Sequence, residues 1–93
     1  MYTKVKTLSN NVYILIGIYK HSCEINITIK LISRLTGIDQ KDIENKIKEY
    51  NGYAFMLDVN TDIKIIAFNS YNEAELYSDW LNTHLIMKKL KEI

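Results

Sequence analysis

The sequence predicts an α+β domain, mostly helical, on three observations. Residues 39–50 place Ile43, Ile47 and Tyr50 at i, i+4 and i+7, one apolar stripe along a helix. Two short apolar runs, 53–59 and 63–68, flank the turn formers Asn60, Thr61 and Asp62 and read as a β-hairpin. Ser70 and Glu73 stand at capping-box spacing and open a closing helix over 71–91.

The bulk composition narrows the class. Ninety-three residues suit one domain, 1–93, and 47% hydrophobic with 25% charged residues suits a packed one. With no proline and three glycines, the chain favours continuous helices and strands over a loop-rich or disulfide-stapled scaffold. Its single cysteine, Cys23, cannot form an internal disulfide, so a secreted scaffold is not expected. Cys23 reads as a small buried hydrophobe, with a disulfide across a dimer as the alternative. The longest apolar run, 12–19, falls short of the roughly 20 residues a bilayer needs. Lys4 and Lys6 ahead of it mimic the charged end of a signal peptide, but Lys20 and His21 follow with no small-residue cleavage site. The expectation is a cytoplasmic protein with no membrane partner. Abundant isoleucine, lysine, asparagine and tyrosine suggest an AT-rich genome and suit a virus, phage or plasmid, hence the host cytoplasm.

Taken in order, residues 1–8 read as a short strand or a loose arm. Over 12–20, Val12, Leu15, Ile16 and Tyr19 make a helical stripe that Ser9, Asn10 or Asn11 would cap. The same stretch also reads as a strand. Ile25, Ile27, Ile29 and Leu31 alternate with polar residues, so a hairpin of 12–19 with 24–31 stands as the rival. Leu31, Ile32 and Leu35 then share a helical face, Thr36-Gly37 breaks it, and Ile38 follows as a buried plug. Asp39 is a good N-cap and Asp42 suits the first-turn dipole of the next helix. Asn51-Gly52 supplies its left-handed stop. The closing helix is acidic early (Glu73, Glu75, Asp79) and basic late (Lys88, Lys89, Lys91). Its apolar residues exceed one stripe. The surplus predicts a homodimer seam at Tyr77, Trp80, Leu81 and Leu85.

The run 28–50, with Leu31/Leu35, Gly37-Ile38 and Ile43/Ile47/Tyr50, resembles the helix-turn-helix of the winged-helix family, and the hairpin 53–68 sits where that family places its wing. The resemblance spans roughly residues 11–68. It implies a three-helix core, a β-hairpin wing, a long C-terminal helix, and a small homodimeric regulator of transcription. In that arrangement the helix 39–50 lies in the major groove of duplex DNA. Gln40, Lys41, Glu44, Asn45 and Lys48 lie opposite the apolar stripe, where amide and ammonium groups reach base edges and phosphates. Lys4, Lys6 and Lys20 would add phosphate contacts.

Charge points the other way. The net charge is +1, and residues 39–50 hold four acids (Asp39, Asp42, Glu44, Glu49) against three lysines. The wing carries Asp58 and Asp62 against Lys64. Phosphate neutralisation supplies most DNA affinity, and this face offers little of it. The alternative is a protein-binding inhibitor of a virus or phage, an anti-CRISPR for example, whose acidic patches (Asp58, Asp62; Glu73, Glu75, Asp79) imitate phosphates. No enzyme, metal or cofactor is expected. There is no glycine-rich phosphate loop or nucleophile signature, and His21, His84 and Cys23 make no metal-ligand spacing.

Overall fold

The computed structural model describes residues 1–19, 23–58, 60 and 63–91, with the backbone alone at 56–58, 63–64 and 89–91. The elements run β1 (Tyr2–Ser9), β2 (Val12–Ile18), β3 (Glu24–Asn26), α1 (Ile29–Thr36), α2 (Gln40–Glu49), β4 (Tyr53–Asp58), β5 (Ile63–Phe68) and α3 (Tyr71–Lys91). The strands form one five-stranded antiparallel sheet in the order β1-β2-β5-β4. The central strand β2 divides its inner edge, pairing β5 through Tyr13 and Ile14 and β3 through Ile16 to Ile18.

This is not the mostly helical domain with a three-helix core that the sequence suggested: a five-stranded sheet carries the three helices. The decisive difference lies in residues 2–18. Asn10 and Asn11 do not cap a helix; they form the turn that joins β1 to β2, with Asn11 in the left-handed region at φ 61°. Asparagine enters that region more readily than most residues, because its short polar side chain bonds locally. A register shift between Thr7 and Ser9 completes the hairpin. The isoleucines of 12–18 then follow their β-branched preference for extended backbone. Ile14, Leu15, Ile16, Gly17 and Ile18 are all buried, because both sheet faces enclose apolar side chains. An unbroken apolar run of this kind carries no alternation to separate strand from helix.

Two cores result. On the helical side Leu15, Ile27, Ile32, Ile43, Ile47, Ile66, Phe68, Ala74, Tyr77 and Leu81 pack together. On the reverse side Ile14, Ile16, Ile18, Ile65 and Ala67 pack with Val12, Tyr53 and Phe55, all from strands. Helix α1 begins at Thr28, whose hydroxyl accepts from the Leu31 amide at 3.2 Å, and ends at Gly37 with φ 76°. That left-handed C-cap suits glycine, which has no Cβ to clash. The Asp39 carboxylate accepts from the Lys41 amide at 3.1 Å and starts α2. At the far end of α2 the left-handed residue is Asn51, at φ 60°. Gly52 is there for closeness: a Cβ would fall 2.6 Å from the Phe68 ring and 2.7 Å from Ile47.

Helix α3 closes the outer edge of the sheet. Thr3 is 3% exposed, and its amide donates to Asn82 Oδ1 at 2.7 Å while its carbonyl accepts from Asn82 Nδ2 at 3.0 Å. The Asn82 carboxamide thus replaces a neighbouring strand at this point. Ser78 Oγ adds a bond to the Thr3 carbonyl at 3.1 Å and lies 2.8 Å from its hydroxyl. A covered edge neither strands backbone donors nor recruits another chain.

Candidate interaction surface

Helix α2 lies on the helical side of the sheet with Ile43 and Ile47 turned into the core. Its opposite face presents Gln40, Lys41, Glu44, Asn45 and Lys48, all exposed. None of these five side chains makes a hydrogen bond or ion pair within the described residues. The third lysine is committed elsewhere. Lys46 Nζ lies 3.0 Å from Glu49 and over the rings of Tyr50 and Trp80, at 5.4 and 5.7 Å. The bond to Glu49 holds the Lys46 ammonium above its ordinary pKa.

Beside that face a cleft of about 320 Å³ opens between α2, the start of α1 and the β4–β5 hairpin. Ile29, Ile47, Ile65 and Ile66 furnish its walls together with Tyr53 and Ala54, and Glu44 and Lys48 stand at α2's margin of it. The Tyr53 hydroxyl is tied to Asn69 Oδ1 at 3.1 Å. Such a cleft suits an aliphatic side chain, with one carboxylate and one ammonium ready for polar groups beside it. The lining offers no histidine, cysteine or serine for acid–base or nucleophilic work.

The expected DNA-binding set does not gather on one side. Lys4 and Lys6 pair in register with Ile16 and Ile14, and so share the reverse face of the sheet, away from α2. Lys6 Nζ also lies 3.4 Å from Glu24. Lys20, His21, Thr61 and Asp62 fall outside the described residues, and the side chain of Asp58 does too. The expected dimer seam is divided as well. Tyr77 and Leu81 are buried within this chain's own core, while Trp80 and Leu85 pack half-buried against it. Trp80 continues the stack from Tyr77 to His84, whose Nδ1 meets the Trp80 carbonyl at 2.9 Å. Of the three acids early in α3, Glu75 and Asp79 are exposed and Glu73 is half-buried.

One other expectation changes. Cys23 is exposed and not a core residue, because it follows β2 in the connection to β3. The Tyr77 hydroxyl has no hydrogen-bond partner in the core, and burial pushes its pKa well above the usual 10.0. Sequence reasoning did not reach the cleft. Its walls come from α1, α2, β4 and β5, and Gly52, which lets α2 approach Phe68, was the one local sign of close packing there.

Among the described residues no group of three or more histidine, cysteine, aspartate or glutamate side chains is placed to hold a metal ion, and no helix is long and apolar enough to cross a membrane. No protein-family model, curated protein or solved structure matches the chain.

Proposed function

We propose that this chain is a non-catalytic binding protein, an inhibitor or adaptor, whose partner is another protein seated on α2 and the cleft beside it. The observation that carries the reading is the pairing of an apolar-walled cleft with an uncommitted polar rim of both signs. A buried apolar anchor ringed by polar groups is the usual anatomy of a protein interface. Duplex DNA is the second reading, favoured by the exposed stripe Lys41, Asn45 and Lys48. Against it stand Asp42 and Glu44 on the same helix and the removal of Lys4 and Lys6 to the far side of the sheet.

Two measurements separate the readings. In an anisotropy titration on mixed-sequence duplex DNA, the protein reading expects no salt-sensitive binding. DNA binding that steepens at low salt, and that Lys41→Glu with Lys48→Glu weakens, would replace it with the DNA reading. In photocrosslinking from position 44 in cell extract, the expected result is one stoichiometric protein adduct. It should disappear with Lys48→Glu and be missing when the crosslinker is moved to position 6. Equal adducts from both positions would refute the assignment of this face.

A further inference from the structure

The strand order ends in β1 on one side and β4 on the other, and the chain treats the two ends differently. At β1 the Asn82 carboxamide stands in for a missing strand by bonding the Thr3 amide and carbonyl. At the other end Tyr53, Ala54, Phe55 and Met56 of β4 pair with β5, and among the described residues no other hydrogen bond reaches the backbone of this run. Alternate residues of a strand turn N–H and C=O to the same edge, so the run offers about two donors and two acceptors to whatever lies alongside. Open edges are commonly guarded by lysine, proline or a bulge. The run 53–56 has no charge and no proline, and the register shifts only beyond it, between Met56 and Asp58. Ala54 pairs with Ile66 of the helical-side core, so its methyl lies on the helical side, exposed, where it lines the cleft beside α2. A methyl is too short to fence the cleft from the edge.

We infer that the protein seated at the cleft enters it as an extended segment that adds a strand to β4, an inference that rests on the reading of α2 and the cleft as a protein-binding surface. Unpaired strand groups specify an extended main chain, and a pocket beside the edge then selects among its alternate side chains. The segment's residue opposite Ala54 projects on the helical side, as cross-strand neighbours do, and leans over that methyl toward the cleft walled by Ile29, Ile47 and Ile66. An aliphatic side chain suits that position. Residues two places away fall on the same face of the segment, toward the margin held by Glu44 and Lys48. A helical partner would fill the cleft but leave the edge of β4 to water. A second copy would bring to the edge only its own uncharged run 53–56, with nothing for Glu44 or Lys48. The occupant is therefore a segment of a different protein, free of proline where it pairs with β4.

The probe is a phage-displayed library of random peptides about seven residues long, panned on the whole chain. The expected result is enrichment of proline-free sequences with a central aliphatic residue. An enriched peptide is then synthesised with one backbone amide N-methylated at a time. Binding should weaken on the order of tenfold or more at every second position and hold at the positions between. Ala54→Lys, an edge guard at an exposed site, should weaken binding of the same peptide as strongly without lowering the thermal midpoint. The methylation scan alters only the peptide, so it stands whatever the lysine does to folding. No enrichment over an unrelated protein, or a methylation profile without the period of two, overturns the proposal. A dimer in sedimentation velocity that Ala54→Lys dissolves assigns the edge to a second copy and overturns it equally. In cell extract, an adduct from position 44 that survives both Ala54→Lys and excess peptide overturns the added strand and leaves the α2 reading standing. No adduct from position 44, with no peptide enriched, defeats both.

Discussion

Replacing Asn82 by alanine should destabilise the protein by more than any exposed substitution on the same helix. The carboxamide serves one residue three ways. It accepts from the Thr3 amide at 2.7 Å and from the Thr3 hydroxyl at 3.0 Å, and it donates to the Thr3 carbonyl at 3.0 Å. In Asn82→Ala the carbonyl keeps its bond from Ser78 Oγ, and the hydroxyl keeps its contact with the same atom. The Thr3 amide has no second partner among these bonds, at a residue only 3% exposed. An orphaned buried donor costs about 1–3 kcal/mol, and each of the two shared bonds lost adds about 0.5–1 kcal/mol, so the total is about 2–5 kcal/mol. For a chain of this size, at about 4–8 °C per kcal/mol, that lowers the thermal midpoint by on the order of 10–40 °C. Urea titration followed by Trp80 fluorescence measures it, with an unchanged slope expected. Hydrogen exchange at the Thr3 amide should accelerate in the variant. A loss under about 0.5 kcal/mol, or unchanged exchange, would show that solvent serves the edge and that Asn82 does not hold it.

The other predictions concern the core and α2. Tyr77→Phe removes a buried hydroxyl that has no partner, and it should be neutral or stabilise by about 1 kcal/mol; a loss beyond about 1 kcal/mol in urea titration would mean that the hydroxyl is bonded. Because the folded Tyr77 pKa lies above its unfolded value of 10.0, the folded state holds a proton that the unfolded state releases. Stability should therefore fall as pH rises past about 10, and Tyr77→Phe should flatten that fall in thermal melts. Gly52→Ala drives a methyl to within 2.6 Å of the Phe68 ring and should cost about 1–3 kcal/mol by calorimetry; a neutral result would mean that the α2–β5 contact is slack. Glu49→Gln breaks the 3.0 Å pair with Lys46, whose partner carboxylate is largely solvated, and should change stability by less than about 0.5 kcal/mol in the same assay.

Local chemistry alone determined much of this protein. The Asp39 cap, the Ile43/Ile47/Tyr50 stripe and the Asn51-Gly52 stop mark α2 because each acts within one or two turns of backbone. The β4–β5 hairpin declares itself in the same way, through turn formers and apolar runs only a few residues long, and the start of α3 through the three-residue spacing of Ser70 and Glu73. Tertiary structure decided the rest. Whether 12–18 is strand or helix depended on a sheet that buries it on both faces, which erases the period a reader relies on. Tyr77 and Leu81 look like spare apolar surface on an isolated helix. They become core only once the sheet, with Phe68 of β5, and Tyr50 at the end of α2 are laid against the helix, and that leaves Leu76 and Ile86 on its exposed side. Lys4 and Lys6 stand in a segment with no acid before Glu24, yet the strand period of two turns them to the reverse face, away from α2. The Asn82 clamp on Thr3 spans 79 positions of chain. No short-range pattern encodes it, because it exists only where α3 meets the edge of the sheet.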